Sequence, residues 1–265
     1  MDRLANDSLA RVVLMLGHDE KVLVNEAVLR TFKLKDHSLD LYVLPESLFV
    51  PNAVSRLFAK VVDIAPGDVV FDIGTGTGVL AIWSALQPSS QVYAVDPVAE
   101  HCELAERNAK LHEVDGKLIA FQGSLFDPLP EGLSADVIIG DVSGIADGPG
   151  RALGWYSSEV PTGGGDGTEV ITELLHRAHR HLAPKGKLYF PVAVGLSDDD
   201  KIMRAARACF DSLLLKVDVW FPLSDEEYEI VSCCLPPELL QRVKKKGSRM
   251  AWNGLIYEAT RPKKA

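Results

Sequence analysis

Residues 69–78 read Val-Val-Phe-Asp-Ile-Gly-Thr-Gly-Thr-Gly and pass directly into the helix-forming run Val79-Leu80-Ala81-Ile82-Trp83. An apolar strand that ends in three alternate glycines, Gly74, Gly76 and Gly78, and reopens as a helix restricts the fold to a βα unit with a ligand-accessible turn between its halves. Glycine is required because the backbone takes dihedral angles closed to residues with a Cβ, and because a ligand can then approach the peptide planes at the helix start. The next strand ends in Asp96, 22 residues after Gly74, the spacing at which a carboxylate accepts hydrogen bonds from a ribose diol. An ordinary tight turn for the glycines and a turn residue before Pro97 for Asp96 remain the plainer alternatives, and they explain less.

Around this turn the apolar pattern alternates between two periods. Residues 68–73, 91–96, 117–122, 135–140 and 186–192 are short apolar runs of the kind that parallel strands buried on both faces need. Helical stretches at 78–87, 98–112 and 167–183 separate them, the last stopping before Pro184 and Gly186. The spacing predicts an α/β fold of Rossmann-like type, a mostly parallel seven-stranded sheet with helices on both faces. Helical patterning at 4–16 and 20–34 and a strand at 39–44 predict a small α-rich cap over residues 1–50, ahead of a main domain over 51–265. Residues 212–221 and 228–235 read as a closing strand pair, and 252–257 as a further edge strand or a cover for the site.

Composition narrows the partners. With 265 residues, 47% of them hydrophobic, one sizeable core is expected. The net charge of −9 repels phosphate backbones, so nucleic acid would need a local basic patch. Lys244, Lys245, Lys246 and Arg249 form one candidate, and Arg261, Lys263 and Lys264 the other; a solvated helix end and a tail are the simpler readings. Cys102, Cys209, Cys233 and Cys234 lack disulfide or zinc spacing and read as reduced core thiols. No apolar run approaches the roughly 20 residues of a membrane span, so a cytoplasmic location without membrane contact is expected. His176, His179 and His181 share a predicted helix without a carboxylate to complete a metal site, and no metal is expected.

Two features favour S-adenosylmethionine (SAM) over a dinucleotide. The glycines are spaced G-x-G-x-G, and Asp72 precedes them, where a carboxylate repels a diphosphate and attracts the ammonium of a methionine moiety. The segment Phe71-Asp72-Ile73-Gly74-Thr75-Gly76-Thr77-Gly78 resembles the first motif of class I SAM-dependent methyltransferases, and Ala94-Val95-Asp96-Pro97 resembles the second. The resemblance implies that Asp72, Gly74, Thr75, Gly76 and Gly78 hold the methionine portion and that Asp96, with Pro97, meets the ribose. It places the adenine near Ser124 and Leu125, where many relatives carry an acidic residue. Asp127 either substitutes for that acid or caps a turn before Pro128.

From residue 45 to 195 the chain is similar, in patches, to the release-factor glutamine methyltransferases and the related "small-domain" N-methyltransferases. The resemblance rests on Leu48-Phe49-Val50-Pro51-Asn52, Asp141, the Gly163-Gly164-Gly165-Asp166-Gly167 run and Leu182-Ala183-Pro184-Lys185-Gly186. Those relatives carry Asn-Pro-Pro-Tyr after the fourth strand, and here Asp141-Val142-Ser143-Gly144 stands in its place. Glutamine amides and base amines therefore lose their usual grip. Asp141 and Ser143 are the candidate catalytic positions. Asp141 either holds a cationic or hydroxylated acceptor, acts as general base, or contacts only the methionine end of SAM or a helix N-terminus. Ser143 has no His/Asp arrangement near it for nucleophilic hydrolysis. The Gly-rich loop to about residue 166 reads as a lid or as disorder, and Trp155, Tyr156 and Phe49 as acceptor-pocket walls or packing.

The expected function is methyl transfer from SAM to a nitrogen, oxygen or carbon acceptor, with a small molecule favoured over protein or RNA. An NAD(P)-dependent oxidoreductase and a non-catalytic SAM-binding protein are the rivals.

Overall fold

A computed structural model describes residues 27–35, 37–44, 51–156 and 160–263. In chain order the elements are β1 (Val28–Leu34), β2 (His37–Val43), α1 (Ala53–Val61), β3 (Val69–Ile73), α2 (Val79–Leu86), β4 (Gln91–Asp96), α3 (Ala99–Leu111), β5 (Leu118–Gln122) and β6 (Ala135–Gly140). There follow α4 (Asp147–Ala152), α5 (Glu169–Ala178), β7 (Leu182–Val194), α6 (Asp199–Cys209), β8 (Phe210–Pro222), α7 (Asp225–Cys234), α8 (Pro237–Leu240), β9 (Lys244–Lys246) and β10 (Arg249–Pro262).

The main sheet runs β5-β4-β3-β6-β7-β10-β8, and the three-residue β9 joins β10 beside it. β3 pairs in parallel with β4 and β6, as do β4 with β5 and β6 with β7, while β10 runs antiparallel to both β7 and β8. Side chains alternate across the pleat, and that period sorts the core into two layers. Val70, Val92, Ala94, Val137 and Ile139 face α1 and α2, where Phe58 and Trp83 are buried. Phe71, Ile73, Val95 and Ile138 face α5 and α6, packed against Leu174 and Ile202. The expected α/β sheet with helices on both faces is what the chain forms.

Five expectations need correction. Residues 28–34, placed in a helix, form β1, because Phe32 and Leu34 alternate with exposed Thr31 and Lys33 and the strand pairs fully with β2. The rest of that helix, and the one at 4–16, lie outside the described residues. Residues 228–235, read as a strand, form the body of α7 up to Cys234 and its C-cap Leu235, the helix starting at a capping box between Ser224 and Glu227. That change exposes Cys233 and Cys234, so of the four thiols only Cys102 is buried. Residues 252–257 lie inside the sheet, between β7 and β8, rather than at its edge. Lys244–Lys246 form a short exposed hairpin strand against β10 and not a helix end. Among the described residues no helix is long and apolar enough to cross a membrane.

The β1-β2 hairpin is joined to the glycine turn by one side chain. Asn108 on α3 is fully buried, accepts from Tyr42 N–H at 2.7 Å, and donates at 3.0 Å to the carbonyls of both Tyr42 and Thr77. Asn108→Ala leaves these backbone groups without partners and is expected to cost roughly 3 kcal/mol, read as a lowered urea midpoint at unchanged m-value.

Candidate functional site

Parallel strands deliver their loops to one edge, and here that edge is hollow. A cavity of about 980 Å³ is lined by residues from the turn after β3, the ends of β4, β6 and β7, and the strands β8 and β10. That volume lies at the upper end of the roughly 300–1,000 Å³ usual for small-molecule sites.

Gly74 takes φ of +80°, and a Cβ there would lie 3.1 Å from Asp141 O and from Val142 Cγ1. A side chain at 74 would thus push apart the two loops that form the cavity floor. Gly78, with φ of +83°, does different work: a Cβ there would approach Ala105 of α3 to 2.9 Å. Gly74, Gly76, Asp96, Pro97, Ser124, Leu125, Asp141 and Ser143 line the cavity. Asp72, Thr75 and Gly78 lie behind that wall, where Asp72 and Thr75 are buried.

Asp96 is built in firmly. Its Oδ2 accepts from Gly76 N–H at 2.9 Å, and its Oδ1 accepts from Val98 N–H at 3.0 Å and sits 2.8 Å from His101 Nδ1. His101 is buried and also lines the cavity, a contribution the sequence analysis missed. A histidine in the first turns of the helix after the acidic strand end was the available signal. Leu125 holds φ at +51°, an uncommon angle for a residue with a branched side chain, at the wall expected to meet an adenine. Asp127 does not line the cavity; it pairs with Arg177 at 2.5 Å, which removes it as a substitute for the missing acid.

Asp72 directs Oδ2 to the Thr75 hydroxyl at 2.7 Å, while its buried Oδ1 has no hydrogen-bond partner. Burial pushes its carboxyl up to about 7, opposed by Thr75 and reinforced by the charge of Asp141. Asp141 rests at the end of β6, with Oδ2 accepting from the Ser55 hydroxyl of α1 at 3.1 Å. Burial raises its carboxyl to about 6, against the Ser55 hydrogen bond. Ser55 is a second residue the sequence analysis missed, since the two lie 86 positions apart. Ser143 donates to the Pro161 carbonyl at 2.6 Å, so its hydroxyl ties the far end of the long loop to the site.

That loop is folded where it is described. It contains α4, and Trp155 and Tyr156 then turn into the cavity. Burial raises the Tyr156 phenol to about 12, helped by the Asp141 charge and opposed by hydrogen bonds with Ser143 and the Gly144 backbone. Farther along, Asp166 accepts from both the N–H and the hydroxyl of Thr168, and Gly167 packs against Ala146 and Ser197. Phe49 lies outside the described residues. His181 stacks on Phe126 at 4.4 Å, and among the described residues no group of three or more acidic, His or Cys side chains is placed to hold a metal ion.

Residues 56–144 match the family model described as ribosomal protein L11 methyltransferase (PrmA). The release factor glutamine methyltransferase of Aquifex aeolicus is 27% identical over 204 residues, covering 72% of this chain and 67% of that protein. The ribosomal protein uL3 glutamine methyltransferase of Bradyrhizobium diazoefficiens is 32% identical over 167 residues, covering 61% of this chain and 49% of its own length. The chain therefore spans about half to two thirds of these relatives. The crystal structure of ribosomal protein L11 methylase from Lactobacillus delbrueckii subsp. bulgaricus superposes with a TM-score of 0.50 at 18% identity, over 82% of this chain and 83% of the other.

Proposed function

The chain belongs to the class I SAM-dependent methyltransferases, and on that premise we propose that it methylates a nitrogen of a protein acceptor seated beside Asp141. The similar proteins support this over the small-molecule acceptor favoured by the sequence analysis, since their names specify release factor, uL3 and L11 substrates. One observation carries the reading: Asp141, with a carboxyl raised to about 6, lines the cavity beside the turn expected to hold the methyl donor. The net charge of −9, and a cavity wall without lysine or arginine among the described residues, disfavour RNA.

The residues fit SAM. Asp72, one layer behind the glycine turn and with Oδ1 unpartnered, would set the negative charge that an ammonium of a methionine moiety needs there, and Asp96 at the cavity wall suits a ribose diol. Ser124 and Leu125 complete the adenine side. SAM supplies a methyl carbon on a sulfonium, whose carbon–sulfur electron pair remains on sulfur as the methyl leaves. The protein's task is chiefly alignment and water exclusion. Asp141 attracts a cationic nitrogen and takes its proton, and raising a carboxyl pKa toward that of an amine narrows the gap for this transfer. Ser55 orients that carboxylate. Ser143 anchors the loop over it.

Tritiated SAM with a cell extract tests the acceptor class. Label is expected in acid-precipitable material that protease releases and ribonuclease does not. Label confined to soluble metabolites, or released by ribonuclease, overturns the protein reading, and any enzyme-dependent label excludes a merely SAM-binding role.

The raised carboxyl of Asp72 carries its own prediction. A group whose folded pKa is elevated contributes stability below its unfolded value, here 3.8, and loses it as pH rises through about 7. Asp72→Asn is therefore expected to raise the melting temperature of the ligand-free protein by a few degrees at pH 8. The same change should weaken S-adenosylhomocysteine, which keeps the amino-acid end. For the unaltered protein, affinity should fall as pH drops through about 7, because the cation must then displace a proton. Calorimetry against pH checks both.

A further inference from the structure

The cavity continues past Asp141 to a wall of four aromatic rings, and we propose that this outer chamber is a subsite for an alkylammonium cation. The inference rests on the methyl-transfer reading and adds the charge of the group that enters.

Phe221 of β8 and Trp252 of β10 are stacked, with centroids 4.4 Å apart and planes at 16°. Trp155 stands 6.5 Å from Trp252 at 48°, and Tyr156 follows it into the same wall. Two glycines make room for the rings. A Cβ at Gly254 would lie 2.4 Å from the Phe221 ring, and one at Gly150 would lie 2.6 Å from that of Tyr156. Side chains at either position would displace the wall, so the backbone is adapted to keep these rings at the cavity.

The charges lining the cavity are of one sign. Asp96, Asp141, Glu169, Glu173 and Glu227 contribute carboxylates, and among the described lining residues there is no lysine or arginine. Glu227 is engaged by Ser224 N–H, Glu173 by Arg177, and Asp96 by Gly76 N–H, Val98 N–H and His101, which leaves Glu169 and the second oxygen of Asp141, whose Oδ2 holds the Ser55 hydroxyl, to meet a ligand. An anion is repelled here, and a neutral amide gains little from the field. A cation gains twice, from the carboxylates in a low-dielectric space and from the negative faces of the rings.

Choline and 3,3-dimethylbutan-1-ol share one shape and differ in charge. Titrated calorimetrically at pH 8 into the protein, with and without saturating S-adenosylhomocysteine, choline is expected to bind about tenfold or more tightly than the alcohol. The preference should shrink in Trp155→Ala, a partly exposed position outside the sheet, and in Trp252→Leu. Equal or tighter binding of the alcohol, no choline binding at millimolar concentration, or a preference that survives both substitutions overturns the subsite. If S-adenosylhomocysteine fails to bind while choline discrimination holds, the methyl-transfer reading fails and the subsite stands.

Discussion

Asp141→Asn is expected to lower turnover by roughly 10²-fold or more while leaving the affinity for S-adenosylhomocysteine nearly unchanged. The substitution keeps the shape and the Ser55 hydrogen bond but removes both the charge that attracts a cationic nitrogen and the oxygen that takes its proton. In the unaltered enzyme the rate should fall on the acid side with an apparent pKa near 6, where Asp141 becomes protonated. Asp72 titrates nearby and interacts with it, so the limb reports the pair. The asparagine variant should lack that limb. Single-turnover rates measured from pH 5 to 9 on both proteins make the comparison, and a variant with undiminished turnover would remove Asp141 from the chemistry.

Asp96→Ala should weaken S-adenosylhomocysteine by at least about tenfold, some 1.4 kcal/mol. Beyond the ribose contacts proposed for it, the change strips Gly76 N–H and Val98 N–H of their acceptor and leaves His101 without the carboxylate 2.8 Å from its Nδ1. The glycine turn and the start of α3 then lose a common anchor. Because His101 acts through Asp96, His101→Ala should weaken the same ligand by a smaller factor, and restoring a donor with asparagine should recover part of the loss. Calorimetry on the three variants reads this order, and unchanged affinity in Asp96→Ala would displace the ribose from that site.

Local patterns made the glycine turn, Asp96 and the five core strands legible, because each depends on residues close together in the chain. A three-residue helix–strand ambiguity explains the error at β1: Val28, Phe32 and Leu34 satisfy part of either period, and pairing with β2 decides between them. At α7 the largely apolar run 228–235 suggested a strand, yet the Ser224–Glu227 capping box sets a helix start just before it. The place of β10 was unreadable because strand order is a tertiary property, fixed here by pairing with β7 and β8 over sequence separations of tens of residues.

The candidate site divides in the same way. The residues expected to hold the cofactor lie in consecutive motifs and could be picked out from spacing. The side proposed for the acceptor is lined by Asp141, Trp155, Phe221 and Trp252, with Ser55 holding Asp141 from α1, and no local period relates these residues. The departure at Asp141-Val142-Ser143-Gly144 signalled an altered acceptor, but the aromatic wall that accompanies it emerged only from the packing of β8, β10 and the loop after α4.

The buried acids also explain a tension between stability and function. Burial, reinforced by the charge of Asp141, disfavours ionising Asp72, which costs stability near neutral pH in the ligand-free protein. On the proposed reading, an ammonium held by Asp72 relieves that cost, which favours a positively charged ligand.

A crystal structure of the protein with S-adenosylhomocysteine examines the whole arrangement at once. The expected density places the amino-acid end over Gly74 and Gly76 with its ammonium directed to Asp72, the ribose diol on Asp96, and the sulfur facing Asp141 and the aromatic chamber. Density elsewhere, or a turn packed shut under saturating ligand, would contradict it.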